Sequence, residues 1–241
     1  MRNALSHDLG GISTGALPLA LFDLHHLTDV GESVLVRLPK LEEADLDAFT
    51  DGAGFASVTS PHEGLHELKR QRTLADTTAA GLRLLMVGLN PSLTASDLGY
   101  GFASPSNRFW KAAMASGLVT VAKDPRSIVE IDRVGMTDLV KRATPKAAEV
   151  KKAEFVDGLA RLERIVRMLQ PAVVCMAGVT GWRAATGARA ELGVQQELLA
   201  GTPIYVMPNP SGLNAHTNHD DLVAHFQTAL GIGDASSDQT T

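Results

Sequence analysis

The stretch RLLMVGLNPS, residues 83–92, decides the fold class of this chain. Its first six residues form a short apolar run that ends at Gly88, a pattern typical of a buried β-strand. Two further stretches, PAVVCMAG at 171–178 and PIYVM at 203–207, repeat the pattern. Because helical patterns alternate with these strands, we predict an α/β fold: a three-layer αβα sandwich with a mainly parallel central sheet.

The predicted helices follow from apolar periodicity and from end signals. The clearest, Glu154–Leu169, repeats apolar residues every three or four positions and so carries one apolar face. A helix over Pro105–Ser116 is predicted because a possible capping serine precedes a proline at the first helical position. Shorter helices are expected at Thr180–Thr186 and at His219–Leu230, where two acidic residues suit the first turn.

Pattern and charge divide the chain into three regions. Residues 1–72 hold 6 Lys and Arg against 11 Asp and Glu, with only a brief strand–helix–strand pattern. Residues 73–230 carry the firm α/β pattern, and residues 231–241 (GIGDASSDQTT) are small and polar. We therefore predict an acidic N-terminal extension of uncertain fold, one main domain, and a disordered tail.

Composition excludes several kinds of protein. With Cys175 as its one cysteine, the chain forms no intrachain disulfide, four-cysteine zinc site or four-cysteine iron–sulfur cluster. Its apolar runs are too short to span a membrane, and Met1–Gly15 lacks the features of a signal peptide. A cytoplasmic protein without membrane association is expected.

A net charge of −5 is unusual for a protein that binds nucleic acid, but the charge is unevenly spread. The acidity lies at the two ends, whereas the middle contains a basic run: Lys141, Arg142, Lys146, Lys151 and Lys152. Such a run can contact phosphates, and a solvated helix face and loop would carry the same residues. Both interpretations stay open from the sequence.

Two of the predicted strands are followed by loops in which an asparagine stands beside a proline. GLNPS (88–92) follows the first strand, and PNPSGLN (208–214) follows the third. Ligands of parallel sheets bind beyond the carboxyl ends of the strands, so the two loops are expected to share a site. Asn-Pro is also a common turn dipeptide, and the loops alone do not name a reaction.

Four blocks, in this order, resemble the mismatch-specific uracil-DNA and thymine-DNA glycosylase family. They are GLNPS, GFASPSNRFW at 101–110, a GMTDLV turn at 135–140, and PNPSGLN, within roughly Thr73–Leu230. The resemblance implies a uracil-DNA glycosylase-like fold and a monofunctional DNA glycosylase of base excision repair. Its expected substrate is uracil mispaired with guanine in double-stranded DNA, with thymine and exocyclic cytosine adducts as further candidates.

The resemblance also implies the site residues. Asn90 corresponds to the catalytic asparagine, whose carbonyl oxygen can orient the attacking water although an amide is no strong base. Asn209 corresponds to a second asparagine near the base and sugar. Phe102 matches the aromatic residue that stacks on the flipped base. The other base-binding residues expected from the resemblance are Leu89, Pro91 and Ser92.

The second loop is the expected DNA-binding segment. Leu213 would be the apolar wedge that fills the space left by the flipped nucleotide. Gly212 would let the backbone approach the partner guanine, and Ser211 could bind a phosphate. Asn214 completes the segment. Arg108, best explained as fixing the loop and the helix start, is the remaining candidate DNA contact.

The sequence departs from the family pattern at positions that bear on affinity and substrate range. Ser92 stands where the family usually has glycine, and its small side chain narrows the pocket somewhat. Uracil opposite guanine should therefore be processed far better than thymine opposite guanine. Asp138 stands where relatives carry Lys or Asn, and Asn214-Ala215-His216 replaces the usual Ser-Arg. Each of the last two changes removes a cation that could contact DNA.

The matched loops contain no lysine that could form a Schiff base, so a monofunctional enzyme without lyase activity is expected. It should need no metal or organic cofactor, and the spacing of His216, His219 and His225 fits no metal motif. A monomer is expected. Two alternatives stay open: a non-catalytic protein that binds DNA lesions or mismatches on the same fold, and a protein-docking role for residues 1–72.

Overall fold

The structure, a computed structural model, describes residues 6–62, 64–187 and 189–238. The helices and strands follow in the order β1 (Ser6–Asp8), α1 (Leu17–Leu27), β2 (Ser33–Arg37), α2 (Glu43–Gly52), β3 (Phe55–His62), β4 (Leu65–Arg70), β5 (Leu84–Gly88), α3 (Leu93–Leu98), α4 (Phe109–Ala115), α5 (Pro125–Glu130), β6 (Val134–Asp138), α6 (Lys152–Leu169), β7 (Val174–Ala177), α7 (Val179–Thr186), β8 (Gly193–Leu199), β9 (Thr202–Met207) and α8 (His219–Asp238).

The central sheet has the strand order β6-β5-β7-β9-β8. Neighbouring strands are parallel except for β8, which pairs antiparallel with β9. Successive side chains of a strand point to opposite faces, so the apolar run of β5 supplies both faces of the sheet. Leu84 and Met86 join one buried cluster, and Leu85 and Val87 join the other.

Helices cover both faces of this sheet. Helices α4, α5 and α8 pack on one face around Phe109 and Phe226, which are fully buried. Helices α6 and α7 pack on the other face through Leu162 and Trp182. The predicted three-layer αβα sandwich with a mainly parallel sheet is confirmed.

The N-terminal region is a second folded layer. Its sheet has the order β1-β2-β4-β3, and α1 and α2 pack with it. Helix α6 lies between the two cores: Leu162 and Val166 join the central one, while Ile165 and Leu169 join the N-terminal one. The fold of this region, left uncertain by the sequence, is thus an α/β layer that shares a helix with the main domain.

Helix α1 was missed because its sequence, LPLALFDLHHL, has apolar residues on most of its circumference. Such a sequence shows no single apolar stripe, although in the structure α1 buries one side and leaves Leu27 exposed. The 135–140 block was predicted as a turn, but its first part belongs to β6. Gly135 explains the weak strand signal: a Cβ there would lie 2.4 Å from the end of the Leu82 side chain, which a larger residue would have to displace.

Two helix boundaries also differ from the prediction. Helix α4 begins at Phe109 rather than Pro105, because the Asn107 side chain accepts a hydrogen bond (2.9 Å) from the Phe109 backbone and residues before it turn. Helix α8 runs to Asp238, and Asp234 pairs with Arg83 at 2.8 Å. The predicted disorder is therefore wrong for residues 231–238, and residues 239–241 lie outside the described part. Among the described helices, the 20-residue α8 included, none has the length and apolar character to cross a membrane.

Candidate active site

The candidate site lies where the chain order of the central sheet reverses. From β5 the chain crosses to β6 on one side and later to β7 on the other, which creates a switch point at the carboxyl end of β5. Ligands of open α/β sheets bind in the crevice at such a point. A pocket opens there, lined by the end of each parallel strand: Gly88, Asp138, Ala177 and, just after β9, Asn209.

All the predicted catalytic and base-binding residues line this one pocket: Leu89, Asn90, Pro91, Ser92, Phe102 and Asn209. Two segments that the sequence did not assign to the site complete its wall. They are the segment after β4, through Leu74, Ala75 and Thr77, and the end of β6, through Met136 and Asp138.

The carboxamide of Asn90 is held in one orientation. Its Nδ2 shares its two hydrogens among three acceptors: Thr144 Oγ1 (2.8 Å), the Arg142 carbonyl (3.1 Å) and the Pro91 carbonyl (3.2 Å). The Thr144 hydroxyl donates to the Lys146 carbonyl (2.9 Å), so its oxygen must accept from the amide. A rotated amide would set an oxygen against three acceptors. Asn90 Oδ1 accepts no hydrogen bond from the described residues and is free to serve the pocket.

The carboxamide of Asn209 is held in the opposite sense. Its Oδ1 accepts a hydrogen bond from the Ser211 backbone (2.9 Å), an Asx turn that shapes the loop. The Asn209 carbonyl accepts from the Asn214 side chain (3.0 Å). Within the described part of the chain, Asn209 Nδ2 donates to no partner. Asn90 therefore presents an acceptor to the pocket, and Asn209 presents a donor.

Phe102 stands in a left-handed backbone conformation (φ 56°) that turns its ring toward the pocket. The ring stacks on buried Phe109, with centroids 4.0 Å apart and planes 7° apart. The Trp110 indole donates to the Gly101 carbonyl (3.0 Å) and fixes the start of this turn. One face of Phe102 is thus occupied by the core, which leaves the other for a planar ligand.

Asp138 ends β6 directly opposite Gly88 in the parallel ladder. The two approach closely, since a Cβ on residue 88 would lie 2.3 Å from a carboxylate oxygen of Asp138. Burial raises the pKa of Asp138 to about 6, although Lys141 and Arg161 act in the opposite direction. A pocket carboxyl that titrates near neutrality is a candidate for proton transfer.

A buried ionic network lies behind Asp138. Asp76 pairs with Lys141 (2.6 Å) and with Arg161 (2.8 Å). Burial alone would raise the pKa of Asp76, but these two cations hold it below its usual value. Arg161 also donates to the Asp138 carbonyl (2.6 Å) and lies 3.5 Å from Asp51 of α2. The network fixes the end of β6 and links it to the N-terminal layer.

Arg108 holds the second loop in place. Its guanidinium donates to the carbonyls of Ser211 (3.1 Å), Asn214 (2.8 Å) and Thr217. These bonds give Arg108 the loop-fixing position that the sequence favoured over a phosphate contact. The loop projects Leu213, whose surface is 95% exposed.

Gly212 packs against the pocket-side turn. A Cβ at residue 212 would lie 2.5 Å from the Ser106 carbonyl oxygen. Contact with the protein's own backbone therefore requires this glycine, quite apart from any approach to a guanine. The second loop therefore meets the Phe102 turn here, since Ser106 follows that turn.

Comparison with known proteins identifies the family of the chain. Residues 75–231 match the sequence profile of the Uracil DNA glycosylase superfamily. The chain belongs to that superfamily. Among solved structures, it is similar to a provisionally assigned uracil DNA glycosylase from Methanosarcina acetivorans, determined by solution NMR. The two are 17% identical, with a TM-score of 0.47, over 66% of this chain and 97% of the other.

In this member of the uracil DNA glycosylase superfamily, the basic run divides into different roles. Lys141 is buried in the ionic network and Arg142 pairs with Glu154 at 2.6 Å, so neither is a free phosphate contact. Lys146, Lys151 and Lys152 are exposed. The described residues contain no group of three or more His, Cys, Asp or Glu that could hold a metal ion.

Asp138 is a titratable residue in the pocket of this superfamily member that sequence analysis did not assign to the site. The sequence treated it as a lost cation because its charge differs from that of relatives. A usable signal was present: an acidic residue at the carboxyl end of an apolar segment, in a chain whose catalytic loops follow strand ends. The turn assigned to 135–140 hid that position.

Proposed function

We propose that this chain is a monofunctional DNA glycosylase that flips uracil from a U·G pair and hydrolyses its N-glycosidic bond in base excision repair. Membership of the uracil DNA glycosylase superfamily supports DNA as the substrate. The observation that carries the proposal is the orientation of Asn90, whose nitrogen is fixed by three acceptors and whose oxygen remains for a water molecule.

In this mechanism Asn90 Oδ1 accepts a hydrogen bond from the attacking water and aims it at the sugar C1′. An amide cannot take the proton that the water loses. Asp138 lines the same pocket and, with a pKa of about 6, is ionised at neutral pH, so we assign it as the proton acceptor.

The leaving base is handled by the opposite side of the pocket. Uracil stacks on the open face of Phe102, and Asn209 Nδ2 donates to a base oxygen on which negative charge develops. Leu213, exposed at the tip of the second loop, enters the base stack in place of the flipped nucleotide.

The substrate preference rests on Ser92. Its hydroxyl oxygen accepts a hydrogen bond from the Ala95 backbone (3.1 Å) and caps α3, which holds the side chain in the pocket wall. The methyl group of thymine would need the space that the fixed Ser92 side chain occupies. Uracil opposite guanine is therefore processed far better than thymine opposite guanine.

The test is single-turnover cleavage of a labelled duplex with one U·G pair, followed by alkaline scission of abasic sites. Asn90→Ala should lower the rate on the order of 10²–10³-fold, because it removes the oxygen that orients water. Gln196→Ala is the matched control, since it removes an exposed carboxamide from β8, outside the pocket. T·G and U·A duplexes then measure specificity.

Equal rates for wild type and Asn90→Ala would refute the role of Asn90. If wild type cleaves nothing yet prefers U·G over C·G duplexes in binding, the alternative of a non-catalytic lesion-binding protein replaces the glycosylase. Absence of both cleavage and binding would reject the proposed substrate.

A further inference from the structure

Most cations close to the pocket in sequence already have partners within the protein. Arg126, next to pocket residue Pro125, pairs with Asp23 and Glu130, and Arg72 pairs with Asp97. Arg108, Lys141 and Arg142 are engaged as described above. DNA phosphates at the rim of the pocket are therefore expected to bind the cations that have no ion-pair partner among the described residues.

Two exposed lysines remain beside pocket-lining residues. Lys123 Nζ lies 5.9 Å from the ring centroid of Tyr100, which lines the pocket. Lys146 immediately precedes Ala147, another lining residue. Neither lysine forms an ion pair with any residue in the described ranges. Both ammonium groups are thus available to an anion at the rim.

The backbone at each lysine is fixed. Lys123 adopts the left-handed conformation (φ 63°), which is uncommon for a residue other than glycine. The next residue, Asp124, caps α5 by accepting from the Ser127 backbone (3.0 Å), which anchors the chain directly after Lys123. The Lys146 carbonyl accepts the Thr144 hydroxyl that orients Asn90. Lys146 is thereby coupled to the water-positioning amide through one residue.

We infer that Lys123 and Lys146 bind the DNA phosphates that flank the flipped nucleotide. When a base enters a pocket, its own phosphates lie at the rim, where phosphate contacts set the register of the protein on the duplex. The inference rests on the proposed function, since it takes DNA as the ligand. Sequence analysis named Lys146 within a basic run and did not name Lys123.

The experiment measures equilibrium binding of the full chain to a U·G duplex across a series of salt concentrations. The target deoxyuridine carries a 2′-fluorine, which slows glycosidic cleavage, so unaltered wild-type protein can be used. Each phosphate contact contributes about 0.9 to the slope of log K against log salt. Lys123→Ala and Lys146→Ala should each reduce the slope by about that amount, and the double variant by about twice as much.

Lys69→Ala is the control, because Lys69 is exposed on β4 and does not line the pocket. Its slope should equal that of wild type. If both rim variants keep the wild-type slope while wild type still cleaves U·G DNA, the inference is wrong and the proposed function stands. A reduced slope in only one variant overturns the paired contact. If wild type neither binds nor cleaves, both proposals fall.

Discussion

The two Asn-Pro loops look alike in sequence but are built for different tasks. GLNPS is anchored on the segment after β6: the Arg142 carbonyl and the Thr144 hydroxyl, together with the Pro91 carbonyl, accept from the Asn90 nitrogen, and Ser92 caps the helix that follows. PNPSGLN is held by hydrogen bonds within the loop, from Ser211 and Asn214 to Asn209, and by Arg108 at the start of α4. The first loop offers a fixed oxygen inside the pocket, and the second offers a free amide nitrogen and an exposed leucine.

The difference shows how one dipeptide can supply both hydrogen-bonding polarities. A side-chain amide has an oxygen that accepts and a nitrogen with two hydrogens that donate. When one of these atoms is hydrogen-bonded within the protein, the other remains for a ligand. The protein engages the nitrogen of Asn90 and leaves its oxygen, whereas it engages the oxygen of Asn209 in the hydrogen bond from Ser211 and leaves the nitrogen. Hydrolysis of a glycosidic bond needs both: an acceptor for water and a donor for the departing base.

The largest expected effect concerns Asp138, which faces the first loop across Gly88. Asp138→Asn should slow single-turnover cleavage by about 10²–10⁴-fold, the range for loss of a general base. The wild-type rate should fall as pH drops through about 6, where the carboxylate becomes protonated, and the variant should lose this dependence. A retained pH profile in Asp138→Asn would assign the titration to another group.

The same variant should be more stable than wild type at neutral pH. Because the folded-state pKa of Asp138 is raised, ionisation above about 6 costs the folded protein stability, and the amide avoids that cost. The difference in the free energy of unfolding, from urea melts, should grow from about pH 4 to about pH 7. A constant difference would show that burial does not perturb this carboxyl.

The next effect separates the two ends of the second asparagine. Asn209→Asp keeps an oxygen for the Ser211 turn but removes the donor, and Asn209→Ala removes both. Each should lower single-turnover cleavage by about 10²-fold, the cost of losing one preorganised donor. Full activity in Asn209→Asp would mean that the loop shape, rather than the donor, is what Asn209 contributes.

A smaller effect tests how the first loop is anchored. Thr144→Val removes one of the acceptors of the Asn90 amide while keeping the side-chain shape. The rate should fall by about tenfold, as expected for a buried hydrogen bond worth about 1–1.5 kcal/mol. Thr144→Ser keeps the hydroxyl and should restore the rate, which distinguishes amide orientation from packing.

The smallest effect on stability belongs to Leu213. The side chain is 95% exposed, so Leu213→Ala should change the free energy of unfolding by no more than about 0.5 kcal/mol. Cleavage of U·G duplexes should nevertheless slow, while cleavage of uracil in single-stranded DNA, which needs no wedge, should not. Equal slowing on both substrates would remove Leu213 from base flipping.

The parts that sequence predicted share one physical trait: their signals are local. An apolar run indicates a buried strand such as Leu84–Gly88, and the loop that follows such a strand must lie at its carboxyl end. The raised pKa of Asp138 and the burial of α1 have no such local signal. Their environments are created by distant contacts, such as Arg161 behind β6 and the N-terminal sheet around α1. The fold class and the two asparagines of the pocket were therefore predictable, and the titration of Asp138 was not.

Helix α6 makes the stability of the main domain depend on the N-terminal layer. It serves two cores at once, through Leu162 and Val166 on one side and Ile165 and Leu169 on the other. A gene shortened by the codons for residues 1–72 would leave two large apolar side chains in water, at about 1.5–3 kcal/mol each, and would remove Asp51 from beside Arg161. Against a typical total stability of about 5–15 kcal/mol, such a truncation costs much of the fold. Removal of residues 1–72 is therefore expected to destabilise the main domain as well.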